Sequence, residues 1–385
     1  MAINNSSESL SKDYILVKDI NVGSEEKPSL SFKPIGFENN PFTGTFNGDG
    51  HTISNITFSN DRMSGVGLFG LAVDAGFQDI VLKDVNLKGY MLVGGFLGGG
   101  SNVSIRGCSI ENSIVKGDMA VGGLVGHVSG NSLVSKSYAT CNVAGINGTG
   151  GLIGNMQNKT SVFESYAIGN VKGSCVAGGL VGNMDNNSSV SKSYGTGTVT
   201  GINGIGGLVG VVLAESSISE SYATGSVTGI EDAGGFVGHI EGTGKVADSF
   251  YIGTPDNLKG TFVTSDELKK ISTFANISNP WSISALPDPN FIWYINEGQD
   301  YPKLSCYNQM IFPNTEGSNT TIPEDLTKSK SSSVGWGWVI LMSISCVVQI
   351  TRQWGLGVAL VVLALVFIFS GAVYLLNNLL KSNSK

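Results

Sequence analysis

The sequence predicts an all-β chain wound as a parallel β-helix, followed by transmembrane helices. Three observations carry that prediction. A short glycine motif returns every 28 residues, residues at each offset of that period are chemically alike, and the C-terminal region holds apolar stretches long enough to enter a bilayer.

The motif comes first because its period organises everything else. Gly67-Leu68-Phe69-Gly70 is followed at 28-residue steps by boxes that open on Gly95, Gly123, Gly151, Gly179, Gly207 and Gly235. Residues sharing an offset then form columns. Leu87, Val115, Val143, Val171, Val199 and Val227 make an aliphatic one, and Val134, Val162, Val190, Ile218 and Val246 another. Tyr138, Tyr166, Tyr194, Tyr222 and Phe250 make an aromatic column that Leu82 and Ile110 precede, and Ser109, Ser137, Ser165, Ser193, Ser221 and Ser249 run beside it.

A period that repeats side-chain character at every offset fits one turn of a solenoid whose strands pair in parallel with their copies in the next turn. Strands are indicated over helices, because runs such as Ser193 to Thr200 are short and β-branched and because glycine at this density is costly in helices. At strand spacing, seven rungs rise roughly 34 Å. The box glycines then serve corners with positive φ or places where one rung's backbone approaches another. Asn147-Gly148 and Asn203-Gly204 share an offset and mark a turn.

The charges follow the same period. Lys136, Glu164, Lys192, Glu220 and Asp248 occupy one offset and mostly alternate in sign. Stacked a strand spacing apart, opposite charges pair along the face, each exposed pair contributing about 0.2–1 kcal/mol. This predicts a solvated device that fixes register, not a row of catalytic carboxylates.

The glycine boxes, together with Ser137 to Thr140 and Ser221 to Gly225, resemble the GLUG-motif repeats of secreted and surface proteins of bacteria and archaea, adhesin-like and protease-associated proteins among them. Upstream, Asp19-Ile20, Pro34-Ile35-Gly36 and Phe42 to Ile53 look like that family's opening rungs, and Trp293 to Leu304 looks like its usual close. The resemblance implies a right-handed β-helix used at cell surfaces and supplies no catalytic motif.

These readings divide the chain. Residues 1–12 are expected to be disordered, 13–64 to form opening rungs, 65–260 the seven repeats, 261–306 a C-terminal cap, 307–333 a polar linker, 334–376 one or two transmembrane helices and 377–385 a polar tail. An open last rung is a template for strand addition and needs covering. Thr264 to Lys270 reads as a short capped helix that serves, with Trp281 and Trp293, either as a lid or as a surface helix in a loop.

Little in the sequence points to chemistry. A net charge of −7 argues against nucleic acid, which needs clustered Lys and Arg. The five cysteines include no CxxC pair, so they read as reduced, buried small residues. His127 and His239 share a column but stand four rungs apart, about 19 Å, too far to share a metal. Asp49 lies close in sequence to His51, yet both belong to the family-like opening turn. The repeat aspartates Asp74, Asp79, Asp84, Asp118, Asp185 and Asp232 fall at different offsets, so they build no acidic face for glycoside hydrolysis or for calcium. No βαβ unit follows any glycine box, which removes the dinucleotide-loop reading. No cofactor and no metal site is expected, and the chain is read as not being an enzyme.

The surface is rich in Ser, Thr and Asn. Sequons at Asn55, Asn102, Asn147, Asn158, Asn187, Asn276 and Asn319 fit either N-glycosylation or the chance yield of such a composition. Trp354 to Leu376 runs 23 residues without a charge, enough to span a bilayer; Val334 to Ile350 is marginal. A tight hairpin is the default picture, the alternative being one span preceded by an interfacial segment. No basic and apolar leader precedes the opening rungs. Either translation starts further upstream or the solenoid stays inside, and the first is preferred. The expected protein is therefore a membrane-anchored, extracellular, adhesive rod whose partners are the membrane and glycans or cell-envelope proteins.

Overall fold

The computed structural model describes residues 2–23, 32–37, 39–253 and 260–307. They wind as a parallel β-solenoid of about eight turns. Three ladders run its length: a first sheet of nine strands from Tyr14–Ile15 to Lys245–Ala247, a branched second sheet of 19, and a third of seven from Phe69–Val73 to Val237–Ile240. One rung passes from Ser161–Phe163 in the first sheet through Tyr166–Ala167 and Val171–Gly178 in the second to Val181–Met184 in the third. It then returns to Ser189–Ser191, which pairs in parallel with Ser161–Phe163.

Alternation explains the core. In the first sheet the middle residue of each strand points inward, so Phe46, Phe77, Ile105, Val134, Val162, Val190, Ile218 and Val246 stack in register. Val134, Val162 and Val190 are wholly buried. The third sheet contributes Leu97, Val125, Ile153, Val181 and Val209, also wholly buried.

The box glycines are required for close approach, since none of the seven opening ones has positive φ. A Cβ built on Gly179 would lie 2.1 Å from the Gly207 carbonyl oxygen, and one on Gly151 would lie equally close to that of Gly179. Positive φ falls instead on the corners. The charged column sits at one of them, with φ of 48° at Lys136 and 47° at Glu164. The Asn147-Gly148 turn sits at another, where Leu92, Ala120, Gly148, Val176, Gly204 and Asp232 all have positive φ. Val176 is the costly member, because a β-branched residue fits that region poorly.

Two columns are out of step with the 28-residue count. Tyr138 pairs with Ser109, and Ala139 pairs with Ile110, a 29-residue step that reverts to Val115 opposite Val143. Leu82 and Ile110 therefore stack with the inward Ala139 and Ala167, not with the tyrosines. Cys108, not Ser109, holds the station below Ser137. The cause is a pair of compensating changes. From Gly130 onward the turn into the first sheet is one residue longer, while the corner held by Asn112 and Ser113 in the earlier rung shrinks to Cys141.

Both ends also depart from expectation. Residues 2–12, expected to be disordered, form an N-terminal cap. Ala2–Asn5 is a 3-10 turn, and Ser7–Leu10 is a helical turn with Ser6 and Ser9 in a reciprocal capping box. Leu10 is buried, and the cap is tied to the first rung by Asn4 Nδ2 donating to Pro34 O and by Thr43 N donating to Leu10 O. Buried apolar contact and satisfied backbone groups order the segment despite its polar composition.

At the other end, Thr264 to Lys270 forms turns, not the expected helix, although Thr264 and Glu267 exchange capping hydrogen bonds. The short helix is Ile271–Ala275. The following chain does not lie over the last rung as a lid. It runs back along the flank, from Phe250 past Tyr222 to Tyr138. The polar linker beyond Tyr307, the apolar stretches within 334–376, the tail and the Asn319 sequon lie outside the described residues. Among the described residues no helix is long and apolar enough to cross a membrane.

Candidate binding surface

Serine occupies both buried corners and outward rows of the rungs. Ser165, Ser193 and Ser221 are wholly buried at the corner after the first sheet. Each hydroxyl donates to the carbonyl two residues back and accepts the amide of the serine one rung below. Ser193 Oγ, for example, lies 2.7 Å from Ser191 O and 3.2 Å from Ser165 N. A second buried ladder of Ser132, Thr160, Ser188 and Ser216 closes the other corner in a similar way. These hydroxyls satisfy backbone groups that a turn buries.

The outward serines flank the inward valines of the first sheet. Ser161, Ser189 and Ser217 form one row in register, and Ser191 and Ser219 continue a second beyond Phe163. All five are half-buried, and Ser161 Oγ lies 2.9 Å from Ser189 Oγ. The result is a flat hydroxyl array with a repeat of about 4.8 Å along the rod and about 6.8 Å across it.

Polar turn ladders border this array on both sides. Before it stand the asparagines: Asn102 Nδ2 donates to Asp74, Asn186 Nδ2 to Asn158 Oδ1 at 3.1 Å, and Asn187 Nδ2 to Glu215 Oε2 at 2.8 Å. After it stands the charged column, where Lys136 and Glu164 pair at 3.5 Å and Lys192 and Glu220 at 3.0 Å. This column is less solvated than the sequence implied. The Glu164 and Glu220 side chains are only 11% and 12% exposed, and Lys192 also lies 5.7 Å above the Phe163 ring. At such depth, loss of one partner costs more than it would on a surface.

Three sequon asparagines, Asn102, Asn158 and Asn187, fall on these turns, and Asn55 falls on a corner of the second sheet. Asn55, Asn102, Asn158 and Asn187 all have positive φ, a conformation that asparagine tolerates well. Asn55 Nδ2 donates to Asn21 Oδ1, and the Asn102 and Asn187 amides are engaged as above. Asn276 is exposed at the end of the short helix, and Asn147 is half-buried beside Gly148. Turn geometry thus gives Asn55, Asn102, Asn158 and Asn187 a structural reason.

His127 and His239 fall in one outward column of the third sheet, with Asn155, Asn183 and Val211 between them. Burial holds the His127 imidazole neutral, lowering its pKa to about 4. His239 Nδ1 lies 3.3 Å from Asp232 Oδ2. The partner of His51 is Asp19 at 3.2 Å, not Asp49, whose amide binds Asn47 Oδ1. The Thr52 amide and His51 hold the Asp19 carboxyl below the usual range. Among the described residues no group of three His, Cys, Asp or Glu could hold a metal ion. At three stations this outward column meets the positive-φ corner with a glycine on one side, a relation invisible in the spacing: Leu92 lies over Gly99, Gly148 under Asn155 and Gly204 under Val211.

With the rungs in view, one sequence match is decisive. Residues 201–228 match the family model of the GLUG motif, and they span one 28-residue period. One rung of the rod carries the GLUG motif. Over 124 residues, 29% of its length, the chain is 34% identical to halomucin of Haloquadratum walsbyi, and it spans 1% of that protein. Among solved structures, the rod is similar to a candidate immunoglobulin A1 protease from Bacteroides ovatus. The TM-score is 0.52 at 20% identity, over 64% of this chain and 81% of the other. At that identity the likeness is one of fold.

Proposed function

We propose that this GLUG-repeat protein is a non-enzymatic, surface-displayed rod, held to a membrane by the apolar segments within 334–376, and that its first sheet binds glycans or other envelope components. One observation carries the binding role: the flat rows of Ser161, Ser189 and Ser217 and of Ser191 and Ser219, flanked by asparagine and Lys/Glu ladders. Hydroxyl and amide groups repeating at strand spacing suit a polymer that itself repeats, because each added rung adds the same hydrogen bonds. The GLUG motif and the stretch shared with halomucin support display at a surface.

Binding of the full chain to immobilised neutral and acidic polysaccharides tests the reading. Wild type is expected to bind, and S189D/S217D, with both substitutions on the outer rows, is expected to lose binding with unchanged circular dichroism. Equal binding by both proteins would remove the role of the array. Turnover of any of these polysaccharides, abolished by changing Asp49 or His51, would replace the adhesive reading with a polysaccharide-active enzyme.

A further inference from the structure

The flank of the rod carries a second hydrophobic core, distinct from the one inside the solenoid. Tyr138, Tyr166, Tyr194 and Tyr222 stack face to face at 4.8–4.9 Å, with interplanar angles of 1–8°. Their outer edges are covered by the C-terminal segment: Tyr307 meets Tyr138 and Tyr166 edge-on, Trp293 packs against Tyr194 and Tyr222, and Trp281 and Phe274 close on Phe250. These residues form one cluster with Leu268, Ile295 and Leu304, and the interior residues of the solenoid form another.

The two bodies are joined mainly by side chains. Thr261–Phe262 pairs with Phe250–Tyr251, and Val263 N donates to Tyr251 O. Past that point, among the described residues, the main-chain hydrogen bonds of the segment stay within it, as from Gly298 N to Lys269 O and from Ser305 N to Ile292 O. It has a small sheet of its own, with Trp293–Tyr294 between Ile283–Ser284 and Lys303–Leu304. Polar links also cross the seam, among them Trp281 Nε1 to Asp248 O at 2.8 Å, Tyr222 Oη to Pro302 O at 2.6 Å, and Tyr307 Oη to Glu164 O at 3.1 Å. The seam is not fully satisfied either, since Trp293 Nε1 and Ser305 Oγ are buried without a hydrogen-bond partner.

We propose that residues 264–307 are a detachable strap, a folding unit of its own that opens from Tyr307 toward Val263 while the rod stays wound. Cooperative units that open below the global unfolding free energy are those with few backbone links to the rest. The direction follows from the order of contacts. The strap leaves the rod beside Tyr138 and Tyr166, so a pull on the chain beyond Tyr307 loads one ring contact at a time. Fully released, the strap adds about 150 Å of chain at ~3.4 Å per residue. As an extensible tether it rests on the surface-anchored reading; its separability does not.

Tryptophan supplies the test, because the described rod contains none and Trp281 and Trp293 both lie in the strap. In the full chain carrying W336F, W338F and W354F, urea is expected to shift tryptophan emission at lower concentration than it removes the β circular dichroism. Y307A is expected to move only the first transition, to lower urea. Hydrogen exchange should show residues 264–307 opening together while the Val134-to-Val190 column stays protected. Coincident transitions in both proteins, or exchange of strap and rod in step, would overturn the proposal. If the rod proves not to be surface-displayed, the tether role goes and the separable strap remains.

Discussion

Substituting Ser193 by alanine separates the interior serines from those that face outward. Ser193 Oγ accepts the Ser165 amide at 3.2 Å and donates to Ser191 O at 2.7 Å, in a wholly buried corner. The Ser191 carbonyl keeps a second donor, the Glu164 amide at 3.3 Å, so the main loss is the stranded Ser165 N–H. A buried donor left without a partner costs about 1–3 kcal/mol, and the small void adds a little, so S193A should cost about 2–3 kcal/mol. S189A, four residues earlier and outward, removes a half-buried hydroxyl paired with Ser161 Oγ and should cost under about 0.5 kcal/mol. S193C should fall between them, since Cys108 already occupies this station one rung below Ser137. Urea unfolding followed by circular dichroism measures all three. Equal midpoints for S193A and S189A would refute the assignment of the inner ladder.

Three further outcomes follow from named groups. His127 has its folded pKa depressed to about 4 from 6.5, so the unfolded chain binds the extra proton first and stability falls as pH drops through that window. The loss by pH 5 is about 2 kcal/mol, and H127N, which installs the residue found at Asn155 and Asn183, should flatten the slope in a denaturation series; an unchanged slope would clear the imidazole. Burial raises the phenol pKa of Tyr138, Tyr166, Tyr194, Tyr222 and Tyr307 above the ordinary 10, so stability is lost as pH rises past that value. Phenolate absorbance from these rings should appear only with strap release or unfolding, whereas smooth titration at the ordinary value in the folded protein would contradict their burial. K192A strands the Glu220 carboxylate and should cost about 1–3 kcal/mol in the same unfolding assay. K192E/E220K should not restore it, because a carboxylate would then stack on Glu164; full recovery would mean isolated pairs instead of a ladder.

How far the sequence revealed the fold depends on what each rung repeats. The box glycines, the inward Val134-to-Val246 column and the charged corner repeat at 28 residues because strand pairing forces it, and all three were legible. The shift at Ser109 and Tyr138 was hidden because a longer turn at Gly130 and a shorter corner at Cys141 cancel within one period. The course of residues 264–307 along the flank matched neither the lid nor the surface helix expected, because these residues repeat nothing; what they answer to is the row of tyrosines, and only the aromatic column hinted that something must cover it. The ordered N-terminus had a local signal in Ser6 and Ser9, outweighed by its polar composition. On the outer surface the abundance of serine was legible, but its division into buried corner and exposed row requires knowing which residues of each strand point inward.

Surface display is the claim on which the rest of the function depends. Intact cells treated with a membrane-impermeant amine reagent, followed by peptide mapping, address it through Lys83, Lys159 and Lys245, which are exposed on the rod. Labelling of all three is expected in intact cells, at the level reached after lysis. Labelling that appears only after lysis would place the rod inside and contradict surface display.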